Sequence, residues 1–317
     1  MMDEMEKNMP EISRRQFMLL SAKLAALLGV GASALPAIAQ AVQTLASGQA
    51  PLLWLQGQSC SGCSVSLLNA VHPDPVAILT RYVSMQFHGT LSTATGELGM
   101  TVLNDNIRRG GYLLAVEGAV PAAMPEACVV GGEPFAQQLL RAAAAAEAIV
   151  AVGTCACYGG IPAAENNPTG SQSAMAYLQA NGIAKPLIAI PGCPVHPDWL
   201  VGTLVQLLSF GVPELNADGA PKMFFERLVH DQCPRFADYE RENFAEHFSD
   251  SGCLFKLGCL GPVTHADCPT RLWNAGTNFC INAGAPCIGC SSKEFSRAMT
   301  LPFYRKSEQA QIEADKA

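Results

Sequence analysis

The sequence predicts an α/β protein, with an open parallel sheet covered by helices over residues 40–217 and a small irregular unit over 218–317. Three observations point there. Short apolar runs alternate with helix-length segments from Pro51 to about Asn216. Those runs are apolar throughout, and beyond about Asp218 the alternation gives way to short segments punctuated by Gly, Pro and Cys. A strand that is apolar on both sides is buried on both faces, the condition of a parallel sheet sandwiched by helices.

Pro51-Leu-Leu-Trp-Leu-Gln56 reads as the first strand, Tyr112-Leu-Leu-Ala-Val-Glu117 as the second, Ala148-Ile-Val-Ala-Val152 as the third and Pro186-Leu-Ile-Ala-Ile190 as the fourth. Pro134 to Glu147 and Asp198 to Phe210 have the length and composition of crossover helices, and Ala142 to Ala146 is a run of good helix formers. In the second unit a brief helix is expected over Ala237 to Phe248, in a region held together by cofactors more than by a large apolar core.

Residues 1–39 read as an address rather than as part of the fold. Ser13-Arg14-Arg15-Gln16-Phe17-Met18 is a twin-arginine pattern, followed by an Ala- and Leu-rich stretch from Leu19 to Ala39. Ala37-Ile38-Ala39 suggests cleavage before Gln40, with an alternative near Ala50. Gly29, Gly31, Ser33 and Pro36 interrupt the stretch and argue against a retained span. The tail from Arg305 to Ala317 is polar. Four acids (Asp3, Glu4, Glu6, Glu11) and four bases (Lys7, Arg14, Arg15, Lys23) leave with the segment, so the mature chain keeps the net charge of -7. An acidic chain argues against nucleic acid as a partner.

Thirteen cysteines are the chemical signature. Cys60 and Cys63 follow the first strand, Cys155 the third and Cys193 the fourth, so four thiols from three loops meet at the carboxyl edge of the sheet, where open parallel sheets bind ligands. They can close around a single cluster, and Gly57, Gly62, Gly153, Gly159, Gly160 and Gly192 permit the tight backbone approach. Cys253, Cys259, Cys268, Cys280, Cys287 and Cys290 put six more within thirty-eight residues, with His230-Asp-Gln-Cys233 just upstream. Such density in Gly- and Pro-broken loops suits iron-sulfur clusters. A disulfide framework competes, but the count is odd, the chain is long, and twin-arginine cargo is typically folded and cofactor-loaded. Spacing alone leaves tetrahedral zinc open.

Taken in order, Cys60-Ser-Gly-Cys63, Gly153-Thr-Cys155, Pro191-Gly-Cys193-Pro, His230-x-x-Cys233, Cys253-x5-Cys259-Leu-Gly-Pro and Pro286-Cys287-Ile-Gly-Cys290 resemble the small, electron-transferring subunit of nickel-iron hydrogenases over essentially the whole mature chain. The resemblance implies a flavodoxin-like domain and three iron-sulfur clusters. Cys60, Cys63, Cys155 and Cys193 would hold a proximal 4Fe-4S cluster, and His230, Cys233, Cys253 and Cys259 a distal one. Cys268, Cys287 and Cys290 would hold the medial cluster. Many members have Pro where Cys280 stands and carry a 3Fe-4S centre there; a fourth thiolate from Cys280 would complete a 4Fe-4S cube, as in the nickel-iron-selenium subgroup. Leu55-Gln-Gly-Gln-Ser-Cys60 and Ser66-Leu-Leu-Asn-Ala-Val-His-Pro73 also resemble that subgroup.

The implied partners are a nickel- and iron-bearing large subunit and, at the other end, a multihaem cytochrome c or membrane electron carrier, in an exported, periplasmic complex. The chain itself would perform no hydrogen chemistry. Oxygen-tolerant relatives carry two extra cysteines where Gly62 and Gly160 stand, so sensitivity to oxygen is expected. The other open classes are an electron-transfer subunit of a different exported redox complex, such as a complex I-like assembly, and a secreted protein stapled by disulfides or zinc.

Cys128 reads as a small buried hydrophobe and Cys157 as a packed loop residue near the cluster. His72, His88, His196, His247 and His265 lack ligand spacing and are expected in hydrogen-bonded structural roles. Glu117, at a strand end near the cluster edge, reads as a buried acceptor for loop amides, with a role in orienting the proximal loops as the sharper alternative.

Overall fold

The computed structural model describes residues 14–29, 31–46, 51–71, 74–75, 84–164, 166–248 and 250–295. Ser13, the region of Ala50, His72 and the tail from Arg305 lie outside them.

Five parallel strands form the main sheet: β1 (Pro51–Gln56), β2 (Ser84–His88), β3 (Tyr112–Glu117), β4 (Ala146–Val152) and β5 (Leu187–Ile190), in the order β2-β1-β3-β4-β5. This is the flavodoxin-like order, whose direction of winding reverses between β1 and β3. The four strands expected from the sequence are present, with the third beginning at Ala146 and the fourth at Leu187. The alternation of apolar runs does not reveal β2, because it is an edge strand with only Phe87 and His88 buried. The register sets the geometry of everything that follows. Gln56 pairs with Glu117, Glu117 with Val152 and Val152 with Ile190, so four strands end in one row.

The described α-helices of five or more residues, in chain order, are α1 (Arg14–Leu27), α2 (Leu35–Ala46), α3 (Gly62–Leu68), α4 (Gly96–Arg109), α5 (Phe135–Ala145), α6 (Thr154–Tyr158), α7 (Ala174–Ala180), α8 (Pro197–Phe210) and, beyond the sheet, α9 (Phe236–Glu240). The start of α8 is specified by its own residues. His196 Nδ1 accepts the amide of Asp198 at 3.1 Å, Pro197 occupies the first turn where no amide partner is needed, and Asp198 adds negative charge at the positive end of the helix. Gly211, at φ 80°, ends it.

The core lies on both faces of the sheet. Leu53, Trp54, Leu114, Val116, Val150 and Ile188 are fully or almost fully inaccessible, and each buried side chain of this size contributes about 1.5–3 kcal/mol. Tyr112 satisfies its buried hydroxyl on the Ala142 carbonyl at 2.5 Å. No described helix is long and apolar enough to cross a membrane.

Three expectations need correction. The helix expected over 237–248 is only Phe236–Glu240, because Glu242 takes a positive φ of 56° and Asn243 instead accepts the amide of Cys253 at 2.8 Å. Cys128 is half-buried beside the short hairpin Val129–Val130/Glu133–Pro134 rather than buried in the core. The amino-terminal segment reads from its sequence as lying outside the fold, yet α1 and α2 pack on each other and on α8, burying Leu24, Ala25, Leu28 and Ile38. The apolar content of the segment is what drives that packing.

Candidate metal centres

The row of strand ends delivers Cys60 and Cys63 in and before α3, Cys155 at the start of α6, and Cys193 in the turn leading to α8. All thirteen cysteines are free. Cys155 and Cys193 lie within electrostatic reach of Cys63, and both also feel Cys60. The four sulfurs therefore converge. Burial first, and this mutual repulsion after it, push the Cys155 thiol up to about 11 and that of Cys193 to about 12. Cys63 is pushed well above the ordinary range by burial and then by the Glu117 carboxylate. Buried thiols that resist deprotonation together are ones whose thiolate charge must be offset by a bound cation.

The glycines complete the cradle. A methyl group built on Gly153 would lie 2.4 Å from Cys63 Sγ, and one on Gly160 would lie 2.6 Å from Cys155 Sγ. Both positions also take positive φ, 85° and 53°. Only glycine leaves the sulfurs room there.

Behind Cys63 sits a closed polar network. Glu117, 2 % exposed, accepts from the amide of Cys63 at 3.1 Å, Ser64 Oγ at 2.5 Å, Trp54 Nε1 at 3.0 Å and Gln56 Nε2 at 3.1 Å. Every partner is a donor, so an ionised carboxylate is the form that satisfies them all. His88 Nδ1 accepts two amides, of Thr90 at 3.0 Å and Leu91 at 3.2 Å. Its proton is thus on Nε2, which donates to Ser64 Oγ at 3.0 Å. Burial pushes the His88 pKa down to about 4. Glu117 matches its expected role as acceptor of loop amides; Ser64, Gln56 and His88 as its companions carry no sequence signal beyond adjacency to Cys63 or to a strand end.

The second thiol group is Cys268, Cys280, Cys287 and Cys290. Cys290 and Cys280 lie within reach of Cys268, and Cys287 feels both as well. Burial raises all four thiol pKa values, that of Cys290 to about 12. Cys280 stands at the exposed side.

The third group is Cys233, Cys253 and Cys259, whose thiols also repel one another. His230 stands beside them: a methyl on Gly261 would lie 3.5 Å from Cys259 Sγ and 3.6 Å from the His230 amide nitrogen. Its ring packs edge-on against Phe236 at 5.1 Å and Tyr239 at 4.5 Å. Burial lowers its pKa, which keeps the imidazole neutral near pH 7 and its nitrogens available as donors to a metal. Among the described residues no three His, Cys, Asp or Glu side chains are drawn in to the spacing of a single bound metal ion.

Cys157 is buried, its thiol resting on the Ala151 carbonyl at 3.2 Å. His196 and His265 are hydrogen-bonded to backbone carbonyls, of Leu272 and Glu226 at 2.9 Å each, and His247 pairs with Asp250. Sequence reasoning missed Thr154, whose hydroxyl accepts the amide of Gly192 at 2.9 Å and donates to the Cys290 carbonyl. A threonine one position before Cys155 gives no sign of a partner 136 residues away.

Residues 225–304 match the family described as the C-terminal part of the NiFe/NiFeSe hydrogenase small subunit, and residues 60–207 the family described as NADH ubiquinone oxidoreductase, 20 Kd subunit. The periplasmic [NiFeSe] hydrogenase small subunit of Desulfomicrobium baculatum is 42% identical over 313 residues, covering 92% of this chain and 98% of its own length. The uptake hydrogenase small subunit of Azotobacter vinelandii is 38% identical over 293 residues, covering 90% of this chain and 80% of its own. A solved structure of the D. baculatum [NiFeSe] hydrogenase superposes with a TM-score of 0.77 at 43% identity, over 81% of this chain and 99% of that one.

A flavodoxin-like sheet with thiols gathered at its carboxyl edge, followed by a thiol-rich extension, defines a metal-cluster protein of the redox class. The chain belongs to the small subunits of nickel-iron and nickel-iron-selenium hydrogenases. It is thus part of an oxidoreductase whose catalytic site is in the large subunit, and its family implies iron-sulfur clusters.

Proposed function

We propose that this chain relays electrons between the nickel-iron site of a large subunit and an external carrier, through three iron-sulfur clusters. The carrying observation is the gathering of its cysteines into three groups, the second adjoining the first at Cys193 and Cys290 and the third at Cys259 and Cys287. When bound, the clusters supply acceptance and donation of single electrons. Cys60, Cys63, Cys155 and Cys193 would hold the proximal cluster, Cys268, Cys280, Cys287 and Cys290 the medial, and His230, Cys233, Cys253 and Cys259 the distal. Four thiols in the second group favour a medial 4Fe-4S cluster over 3Fe-4S.

The residues do the placing. Glu117 fixes the Cys60–Cys63 loop, and the neutral His230 adds no negative charge to its group, which raises the potential at that end relative to a fourth thiolate. Cys60 is exposed, and Val65 and Val71, in and just after the helix that follows it, are 55% and 41% exposed, which suits a large subunit seated against the proximal side. Gly62 and Gly160 lie against Cys60 Sγ and Cys155 Sγ with no extra thiol, which supports an ordinary four-thiolate proximal site and sensitivity to oxygen.

The domain division follows the sheet: 40–217 around the proximal group and 218–317 around the other two. The twin-arginine segment, residues 1–39, would export the folded pair of subunits to the periplasm, where a multihaem cytochrome c or membrane carrier would accept electrons.

The test is hydrogen-dependent viologen reduction by the complex that co-purifies with this chain under anaerobic conditions, with iron and nickel counted. Activity with a nickel-containing second subunit and about twelve irons, the sum of three 4Fe-4S clusters, supports the reading. A brown, inactive complex with another partner moves the chain to a different exported redox assembly, and a colourless one removes the clusters altogether.

A further inference from the structure

The three thiol groups touch. The amide of Cys193, in the first group, faces Cys290 Sγ in the second. The amide of Cys287, also in the second, donates to Cys259 Sγ in the third at 3.4 Å. The two cysteines of Cys287-Ile-Gly-Cys290 thus form the two ends of a bridge, one turned toward each neighbouring group. Both junctions are pinned by hydrogen bonds. At the outer one, Leu260 donates its amide to the Cys287 carbonyl at 2.7 Å. The inner one rests on a side chain.

Thr154, 1% exposed, accepts the Gly192 amide on its hydroxyl at 2.9 Å, donates its own amide to the Gly192 carbonyl at 2.9 Å, and donates its hydroxyl to the Cys290 carbonyl. It therefore ties the residue before Cys193 to Cys290 itself. A hydroxyl that accepts and donates at once has its rotor fixed by both partners, and it is the one hydroxyl described as bonding the proximal loops to the Cys287–Cys290 segment.

We propose that Thr154 is the positioning residue of the proximal-to-medial junction, holding Cys193 against Cys290 so that one electron crosses between the two ligand sets in each transfer. This rests on the relay reading above. Each H2 split on the partner yields two protons and two electrons; each crossing oxidises the proximal site and reduces the medial site by one electron, and viologen is the final acceptor in the test.

The experiment uses the intact two-subunit complex with Thr154→Val, which keeps the shape and removes the hydroxyl, and Thr154→Ser, which restores it. H2/D+ exchange reports the partner's site without the relay, whereas viologen reduction needs the junction. The expected result is a several-fold loss of viologen reduction in T154V with exchange unchanged, and recovery in T154S. An unchanged viologen rate overturns the proposal, as does an equal loss of both activities that serine does not restore. Should T154V fail to load iron, partly reduced wild-type complex decides by electron paramagnetic resonance. An exchange contribution to the proximal-medial spin coupling supports the bridge, and a purely dipolar one overturns it. Wild-type complex that shows neither exchange nor viologen reduction would instead sink the hydrogenase reading, and the two failures are distinguishable.

Discussion

Glu117 reaches from the end of β3 to hold the amide of Cys63 at 3.1 Å, so a carboxylate on one strand sets the loop that follows its neighbour. Removing it strands the donors of Trp54, Gln56, Ser64 and Cys63 without an acceptor. Each buried, unpaired donor costs about 1–3 kcal/mol. Glu117→Ala is therefore expected to lower the thermal midpoint steeply and to reduce proximal iron, whereas Glu117→Gln, which can still accept, retains iron with a smaller loss. Iron counts per protein and melting curves check this; equal iron in both variants and wild type would refute it.

Cys280→Pro is expected to leave three thiols in the second group and to yield a complex with about one iron fewer, the difference between a four-iron and a three-iron cluster. Electron paramagnetic resonance of the oxidised protein should then show a 3Fe-4S signal. Its absence would mean that Cys280 is not a ligand.

His230→Cys replaces a neutral donor by an anionic one. The distal potential is expected to fall, with the iron count unchanged and viologen reduction slower. A redox titration that finds no shift at any cluster would remove His230 from the ligand set.

His88 is neutral in the fold, its pKa depressed to about 4 by burial, against about 6.5 when unfolded. Between those values the unfolded chain binds the proton and the folded one does not. Its contribution is complete above pH 6.5 and is lost as pH falls through that window toward 4. The thermal midpoint is expected to drop between about pH 7 and 5, and more shallowly in His88→Gln. Parallel curves for the two proteins would show that another group carries the acid sensitivity.

Much of this is legible in the sequence because the same residues speak at two levels. The runs Leu52–Leu55 and Ile149–Val152 are apolar without alternation, so burial on both faces, the parallel sheet and the position of Cys60, Cys63, Cys155 and Cys193 beyond strand ends follow together. What stays hidden depends on a distant partner. Phe87 and His88 make an edge strand only because β1 lies beside them, and Glu242 ends α9 because Asn243 is engaged by Cys253. Thr154 carries no signal until Cys290 arrives beside it. The amino-terminal segment is legible as apolar, but its packing on α8 depends on a surface formed far along the chain.

The shared end of β1, β3, β4 and β5 also imposes an order in time. Cys60, Cys63, Cys155 and Cys193 span residues 60 to 193, and they meet only once each intervening crossover has closed and the strands have come into register. An unfolded chain offers iron no such place. Polypeptide folding must therefore come before the closing of any cluster that these four thiols would hold in common.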